Sequence, residues 1–168
     1  MGDTMLRRNL AGLGLAHDRL SVFSFALAQI CLLVIVFSYS YETVARYFLG
    51  APTRWSNEVV AYALSLGMFL ALPEVTRRGG HIAITAIFDA LPPTARARLG
   101  RVVAFASAAV CLFVAWICLQ TTIQHVTRYD MTVGVTPIPK FWLSMWLPYG
   151  FGSAGLHFLR HAFGQPRI

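Results

Sequence analysis

Four long apolar stretches alternate with short polar segments along the chain, and the charged residues are almost confined to those segments. The stretches cover residues 20–41, 56–76, 102–127 and 141–163. Each is close to the roughly 20 residues that a helix needs to cross the hydrocarbon core of a bilayer. The pattern therefore predicts an all-α integral membrane protein, with one domain of four transmembrane helices over residues 1–168.

The connector between the second and third stretches carries a helical pattern of its own. After the glycine pair at 79–80, apolar residues recur at the i, i+3, i+4, i+7 spacing of one helix face, and the proline pair at 92–93 ends the pattern. Because arginines flank the segment, we predict an amphipathic interfacial helix at 82–91 on the cytoplasmic membrane surface. A partly ordered loop is the alternative. The apolar positions are Ile84, Ile87, Phe88 and Leu91.

Basic residues are distributed unevenly among the polar segments. The formal net charge is +7, with 14 Lys and Arg against 7 Asp and Glu, and ten of the 14 lie in the two terminal segments, the middle connector and the last turn of the fourth stretch, where Arg160 lies. Short segments rich in Lys and Arg stay on the cytoplasmic side of the membrane. The sequence therefore predicts both termini in the cytoplasm, with loops 42–55 and 128–140 in the periplasm. The positive charge is expected to face anionic membrane lipid rather than nucleic acid.

The composition leaves little room for chemistry outside the membrane. Hydrophobic residues make up 57% of the 168 residues and charged residues 12%, against about 25% charged residues in soluble domains. No phosphate-binding glycine loop, nucleophile motif or zinc-ligand spacing occurs in the sequence. Cys31, Cys111 and Cys118 are interpreted as small packing residues within the apolar stretches. We therefore expect no enzymatic activity, no metal and no cofactor.

Two carboxylates lie within the second apolar stretch, where a charged side chain is costly and is a candidate for function. Glu58 is close to the outer end, and we expect it to pair with Arg46 or Arg54 across the preceding turn. The alternative is that Glu58 couples transport to an ion. Glu74 is close to the inner end and is expected to be solvated or paired with one of the two arginines that follow it.

The histidines raise the alternative of a haem-binding membrane anchor of an oxidoreductase. Such an anchor needs two histidines on facing helices at a similar depth. His157 and His161 lie near the inner end of the fourth stretch, whereas His125 lies near the outer end of the third. These depths do not match, so hydrogen bonding near the interface is the favoured interpretation.

Two motifs flank the second apolar stretch: residues 46–58 are RYFLGAPTRWSNE and residues 77–82 are RRGGHI. Together they resemble the small permease subunit of the TRAP transporters, the DctQ-like family. The resemblance covers residues 46–82 by motif, and nearly the whole chain by length and number of stretches. The matching residues are Arg46, Tyr47, Trp55, Glu58, Arg77, Arg78, Gly80, His81 and Ile82.

The resemblance implies a small scaffold subunit of a tripartite, ATP-independent, ion-coupled secondary transporter in the bacterial inner membrane. Such a subunit extends the stationary part of a large multi-span permease, which moves its solute by an elevator motion. A periplasmic binding protein delivers the solute, usually an organic acid. The sequence leaves open the solute, sodium or proton coupling, and the helix faces that contact the large subunit.

A self-sufficient small homodimeric exporter that uses Glu58 is the main alternative function. The core of a transporter is expected to show a charge or a discontinuous helix near the middle of the membrane. Neither is evident in the four stretches, and Glu58 lies close to the end of its own. The residues therefore favour the scaffold role over the exporter.

Overall fold

Helices make up almost all of the computed structural model, which describes residues 2–79, 92–134 and 137–163. The predicted interfacial helix at 82–91, together with Gly80 and His81, lies outside these ranges. Between the helices, the part of the chain that the structure describes contains one isolated antiparallel bridge, from Met131 to Pro139, and no β-strand. The helices are α1 (Gly2–Phe48), α2 (Ser56–Arg77), α3 (Pro93–Arg128), α4 (Lys140–Ser144) and α5 (Trp146–Phe163).

Three segments are long and apolar enough to cross a membrane: Gly14–Phe48, Ser56–Arg77 and Thr94–Arg128. They contain the first three predicted stretches, which confirms an all-helical membrane protein. The helix extends beyond both ends of the predicted stretch, because α1 includes most of the lead before residue 20 and continues past residue 42 to Phe48. With 47 residues, α1 is roughly 70 Å long and exceeds the ~30 Å hydrocarbon core, so it projects beyond the membrane.

The fourth apolar stretch is broken into α4 and α5 at Met145. Proline has no backbone N–H and its ring crowds the carbonyl four residues earlier, so Pro148 disfavours a continuous helix through Ser144. The released carbonyl of Ser144 instead lies 3.1 Å from the Thr122 hydroxyl of α3, which shares its one proton between this carbonyl and that of Cys118, at 2.8 Å. At 18 residues, with three glycines and two histidines, α5 is not among the three helices that meet the spanning criteria.

A second proline shapes the contact between α2 and α5. Pro73 lies inside α2, so the carbonyl of Phe69 has no N–H donor four residues later. Gly150 of α5 packs against that carbonyl, and a Cβ placed on the glycine would lie 2.7 Å from the Phe69 oxygen. Glycine is therefore the residue type that permits this approach of the two backbones.

Small side chains dominate the interior of the bundle, and large apolar side chains point outward. The α1–α2 contact includes Gly67, where an added Cβ would lie 3.1 Å from the Cβ of Cys31. Phe113 and Met68 are more than 60% exposed, as expected of surfaces that lipid or another subunit covers. The buried apolar residues are Ala28, Cys31, Ala45, Val60, Ala63, Leu70, Ala108, Ala154 and Ala162.

Candidate functional site

Glu42 organises the C-terminal end of α1 and the turn into α2. Its side chain is buried, and Arg46 donates a hydrogen bond from Nη2 to Oε1 at 2.6 Å. The backbone N–H of Thr53 donates to Oε2 at 2.9 Å, and the hydroxyl of Ser56 donates to the same oxygen at 3.1 Å. The Thr53 hydroxyl also binds this carboxylate. One carboxylate therefore ties the end of α1 to the loop and to the first residue of α2.

Glu42 is a site residue that the sequence reasoning missed. Its signal was present, because Glu42 and Arg46 have the i, i+4 spacing of an ion pair on a helix. That spacing was overlooked because the first helix was expected to end at residue 41. The predicted pairing of Glu58 with Arg46 or Arg54 stays a prediction.

Glu58 points toward the loop between α3 and α4. Its carboxyl carbon would lie 2.7 Å from a Cβ placed on Gly134, so the carboxylate lies against the backbone of that loop. One turn further along α2, the Tyr62 hydroxyl donates to the Thr132 hydroxyl at 3.2 Å. These contacts place Glu58 at the N-terminal end of α2, away from the middle of the helix.

Backbone hydrogen bonds order the loop between α3 and α4, against which Glu58 lies. The N–H of Thr132 donates to the carbonyl of Ile138, and the N–H of Lys140 donates to the carbonyl of Asp130, each at 2.9 Å. His125 Nδ1 lies 3.0 Å from Oδ2 of Asp130. The hydrogen bond from His125, followed by the charge of Lys140, lowers the pKa of Asp130 despite a partial opposing effect of burial.

Tyr47 and Trp55, the aromatic residues of the first motif, are exposed near the turn between α1 and α2. Tyr47 is 79% exposed and stands beside Phe48, which is 83% exposed. The ring of Trp55 lies 5.9 Å from the ring of Tyr41. Aromatic residues are favoured at the membrane–water interface, where one end of the ring is apolar and the other is wet.

Near the C-terminal end of α2, Glu74 is completely buried and is held by both arginines of the second motif. Arg77 donates to both carboxylate oxygens at 2.6 Å, and Arg78 donates to Oε1 at 2.6 Å. The guanidinium of Arg78 also lies 5.3 Å from the ring centre of Phe25 on α1. The predicted pairing of Glu74 is confirmed, and the two arginines connect the end of α2 to α1.

Two histidines and two serines form a crossed arrangement between α1 and α5. The His17 and His157 rings stack with 4.1 Å between their centres. Nε2 of His17 lies 2.7 Å from the Ser153 hydroxyl, and Nε2 of His157 lies 2.9 Å from the Ser21 hydroxyl. Each imidazole therefore binds the serine of the opposite helix.

The stacked rings bear directly on the haem alternative. Ligands of a haem iron approach it from opposite faces of the porphyrin, so the macrocycle lies between them. Rings whose centres are 4.1 Å apart leave no space for it. His17 and His157, although at a similar depth, are therefore not arranged as a haem ligand pair.

An ion pair extends this cluster toward the inner surface. Arg160 of α5 donates from Nη1 to Oδ1 of Asp18 at 2.5 Å and from Nη2 to Oδ2 at 3.3 Å. His17, Asp18 and His157 are also a set of side chains that could hold a metal ion. The sequence reasoning missed this cluster because its partners are more than 130 residues apart and meet only when α5 packs on α1.

Comparisons with known proteins place these features in context. A family model described as "Tripartite ATP-independent periplasmic transporters, DctQ component" matches residues 32–167. The chain is also similar to the ectoine TRAP transporter small permease protein TeaB of Halomonas elongata, with 26% identity over 120 residues. That alignment covers 70% of this chain and 61% of the relative, so the chain spans about three-fifths of the relative's length.

Proposed function

Because this chain belongs to the DctQ component family of the tripartite ATP-independent periplasmic transporters, we propose that it is the small scaffold subunit of such a transporter. The observation that carries the proposal is the family match over residues 32–167, which includes all of α2 to α5 and the outer part of α1. The proposed location is the bacterial inner membrane. The proposed partners are a large multi-span permease, a periplasmic solute-binding protein and membrane lipid.

The positions of the acidic side chains support a scaffold role. Glu42 and Glu58 lie at the outer end of the bundle, and Glu74 lies at the inner end. Each has a close contact that accounts for its position: the turn into α2, the loop at Gly134, and the two arginines. An exporter would need a titrating group within a solute path, and Glu58 is instead packed against a loop at the helix end.

We propose that α4 and α5 together form the fourth membrane span. They run antiparallel to α3, with Ser144 beside Thr122 at one end and the Phe163 ring 5.3 Å from the Phe105 ring at the other. The segment of α3 from Phe105 to Thr122 is about 26 Å long, close to the ~30 Å of the hydrocarbon core. A fourth span would return the chain to the side of its N-terminus, with both termini in the cytoplasm.

The proposed activity is ion-coupled import of an organic acid by the complete complex. In this proposal the small subunit binds no solute, and the large permease carries both the solute path and the coupling ion, sodium or protons. The proposed role of the small subunit is to hold the stationary part of the permease in the membrane. Its exposed apolar surfaces, such as Phe113 on α3, are available for that contact or for lipid.

Reconstitution into liposomes tests the proposal. We expect no uptake by the chain alone, and uptake when it is combined with the large permease and binding protein of the same transporter. A permease reconstituted without the small subunit is the control and should be less active. Uptake by the isolated chain, or full activity of the permease without it, would refute the scaffold role.

A further inference from the structure

The inner ends of α1 and α5 gather two imidazoles and one carboxylate. One ligand-capable atom from each of His17, Asp18 and His157 lies within 4.8 Å of the other two. Two ligand atoms of a tetrahedral zinc ion, with bonds of about 2.0–2.2 Å, stand roughly 3.4 Å apart. A metal ion lies in the plane of each imidazole that binds it, so His17 and His157 would have to rotate out of their stack to bring all three ligands to one ion. We propose that these residues form a binding site for a divalent transition metal ion of the zinc class.

The chemistry of the donors selects this class of ion. Imidazole nitrogen suits zinc, copper and nickel, whereas calcium and magnesium take shells made of oxygen atoms. Two histidines and one carboxylate match the three-ligand sets of zinc sites that keep a fourth position for water. The ligands come from two helices, so a bound ion would join the N-terminal half of α1 to α5.

The serines prepare at least one of the imidazoles for the ion. The Ser21 hydroxyl donates to the backbone carbonyl of His17 at 3.0 Å, so its oxygen accepts a hydrogen bond from Nε2 of His157. In the tautomer with the proton on Nε2, which lets the Ser21 hydroxyl keep its hydrogen bond to His17, Nδ1 carries the lone pair that a metal needs. Fixing the orientation of a ligating histidine through its other nitrogen is a common feature of metal sites.

Arg160 competes with the ion for Asp18. Its shorter contact is to Oδ1, at 2.5 Å, whereas the contact to Oδ2 is 3.3 Å, beyond the usual 2.7–2.9 Å of a charge-assisted hydrogen bond. Oδ2 is thus the oxygen that can turn to the ion while Oδ1 stays with the arginine. Because the arginine side chain is 49% exposed, it can also turn into water when the ion binds. Removal of this positive charge should therefore tighten metal binding.

Metal titration of the full-length chain tests the site, with a purification tag that contains no histidine and with the chain both alone in detergent and assembled with its permease. Zn²⁺ is followed by calorimetry and Co²⁺ by its visible absorption, which reports the ligand geometry. We expect one ion per chain, with affinity reduced about tenfold or more in His17→Gln and Asp18→Asn. Arg160→Gln should bind more tightly than the natural chain. His125→Gln, at the outer end of α3, is the matched control and should not change the affinity.

The variants are chosen so that loss of folding is not mistaken for loss of a ligand. His17 and Asp18 are partly exposed, so their substitutions are expected to keep the helix content, which circular dichroism checks. His157 is buried, and its variant is therefore not needed for the decision. The proposal is overturned if the natural chain shows no saturable binding at micromolar Zn²⁺, or if His17→Gln binds zinc as His125→Gln does. Neither result depends on transport, so the scaffold role is tested separately.

Discussion

The backbone carbonyl of Phe69 faces Gly150 so closely that a Cβ on the glycine would lie 2.7 Å from its oxygen. Pro73 removes the N–H that would otherwise bind this carbonyl within α2, and α5 covers the exposed group. The contact depends on a proline in one helix and a glycine in the other. It makes the α2–α5 distance sensitive to a single methyl group.

Gly150→Ala should therefore lower the free energy of unfolding of the bundle by about 1–3 kcal/mol, as overpacked cores do. Gly152→Ala is the matched control, because an added Cβ there would lie 3.9 Å from the Cβ of Ala115, an ordinary contact distance. Thermal unfolding in detergent measures both variants. Equal stability of the two variants would contradict the assigned contact.

Thr122→Val should weaken the attachment of α4 to α3, because it removes the hydrogen bond to the carbonyl that Pro148 releases. We expect a loss of about 0.6 kcal/mol, the average for side-chain hydrogen bonds between membrane helices. Thr121→Val is the control, since that hydroxyl is exposed and bonds only to Ile117 of its own helix. A loss of stability as large in the control would show that the contact with Ser144 has no special role.

Glu42→Ala should destabilise the outer turn by about 1–3 kcal/mol, because it leaves the donors on Thr53 and Ser56 without their acceptor. Arg46→Ala should cost less than about 1 kcal/mol, because the arginine side chain is 55% exposed and its ion pair is screened by water. Thermal unfolding and protease digestion of the turn compare the two. A larger effect of Arg46→Ala would mean that the ion pair, rather than the hydrogen bonds to the loop, holds the turn.

Glu58→Gln should leave uptake by the assembled transporter largely intact, since the amide keeps the size of the side chain that packs on Gly134. Complex yield should fall only moderately. Glu58→Arg should reduce both quantities further, because the longer cation does not fit against that loop. Abolished uptake by Glu58→Gln with normal assembly would instead identify Glu58 as a coupling residue.

The proposed fourth span makes a topological prediction. A fluorescent protein that folds only in the cytoplasm should be active when fused after residue 168, and alkaline phosphatase should be active when inserted near residue 134. The uneven distribution of basic residues and the antiparallel course of α3 and α5 both lead to this result. An active phosphatase at the C-terminus would show that α4 and α5 do not cross the membrane.

The apolar pattern was sufficient to predict the three long helices, because span length and hydrophobicity are local properties of the sequence. It did not predict how far α1 extends, since the polar residues Glu42 and Arg46 are accommodated on a helix that continues past the apolar stretch. The break before α5 was predictable from Pro148, but the partner of the released carbonyl was not.

Most contacts at the candidate sites depend on how distant parts of the chain pack together, and local sequence patterns do not predict such packing. Glu74 pairs with neighbours in sequence, and its partners were predicted. The Glu42 acceptor site needs the turn to bring Thr53 and Ser56 back to α1, and the stacking of His17 on His157 needs the packing of the whole bundle. No periodicity in a single sequence carries that information.

The carbonyl of Ser144 has a consequence for how the protein is made. A helix whose backbone groups are all hydrogen-bonded within the helix is stable in lipid before it packs with other helices. A carbonyl that a proline leaves without its N–H donor is poorly solvated in hydrocarbon. The hydroxyl next to this carbonyl belongs to Thr122 of α3, a helix that is synthesised before α4. Insertion of α4 and α5 is therefore favoured next to α3 rather than alone in the lipid. The two segments would then enter the membrane and pack against α3 in the same step.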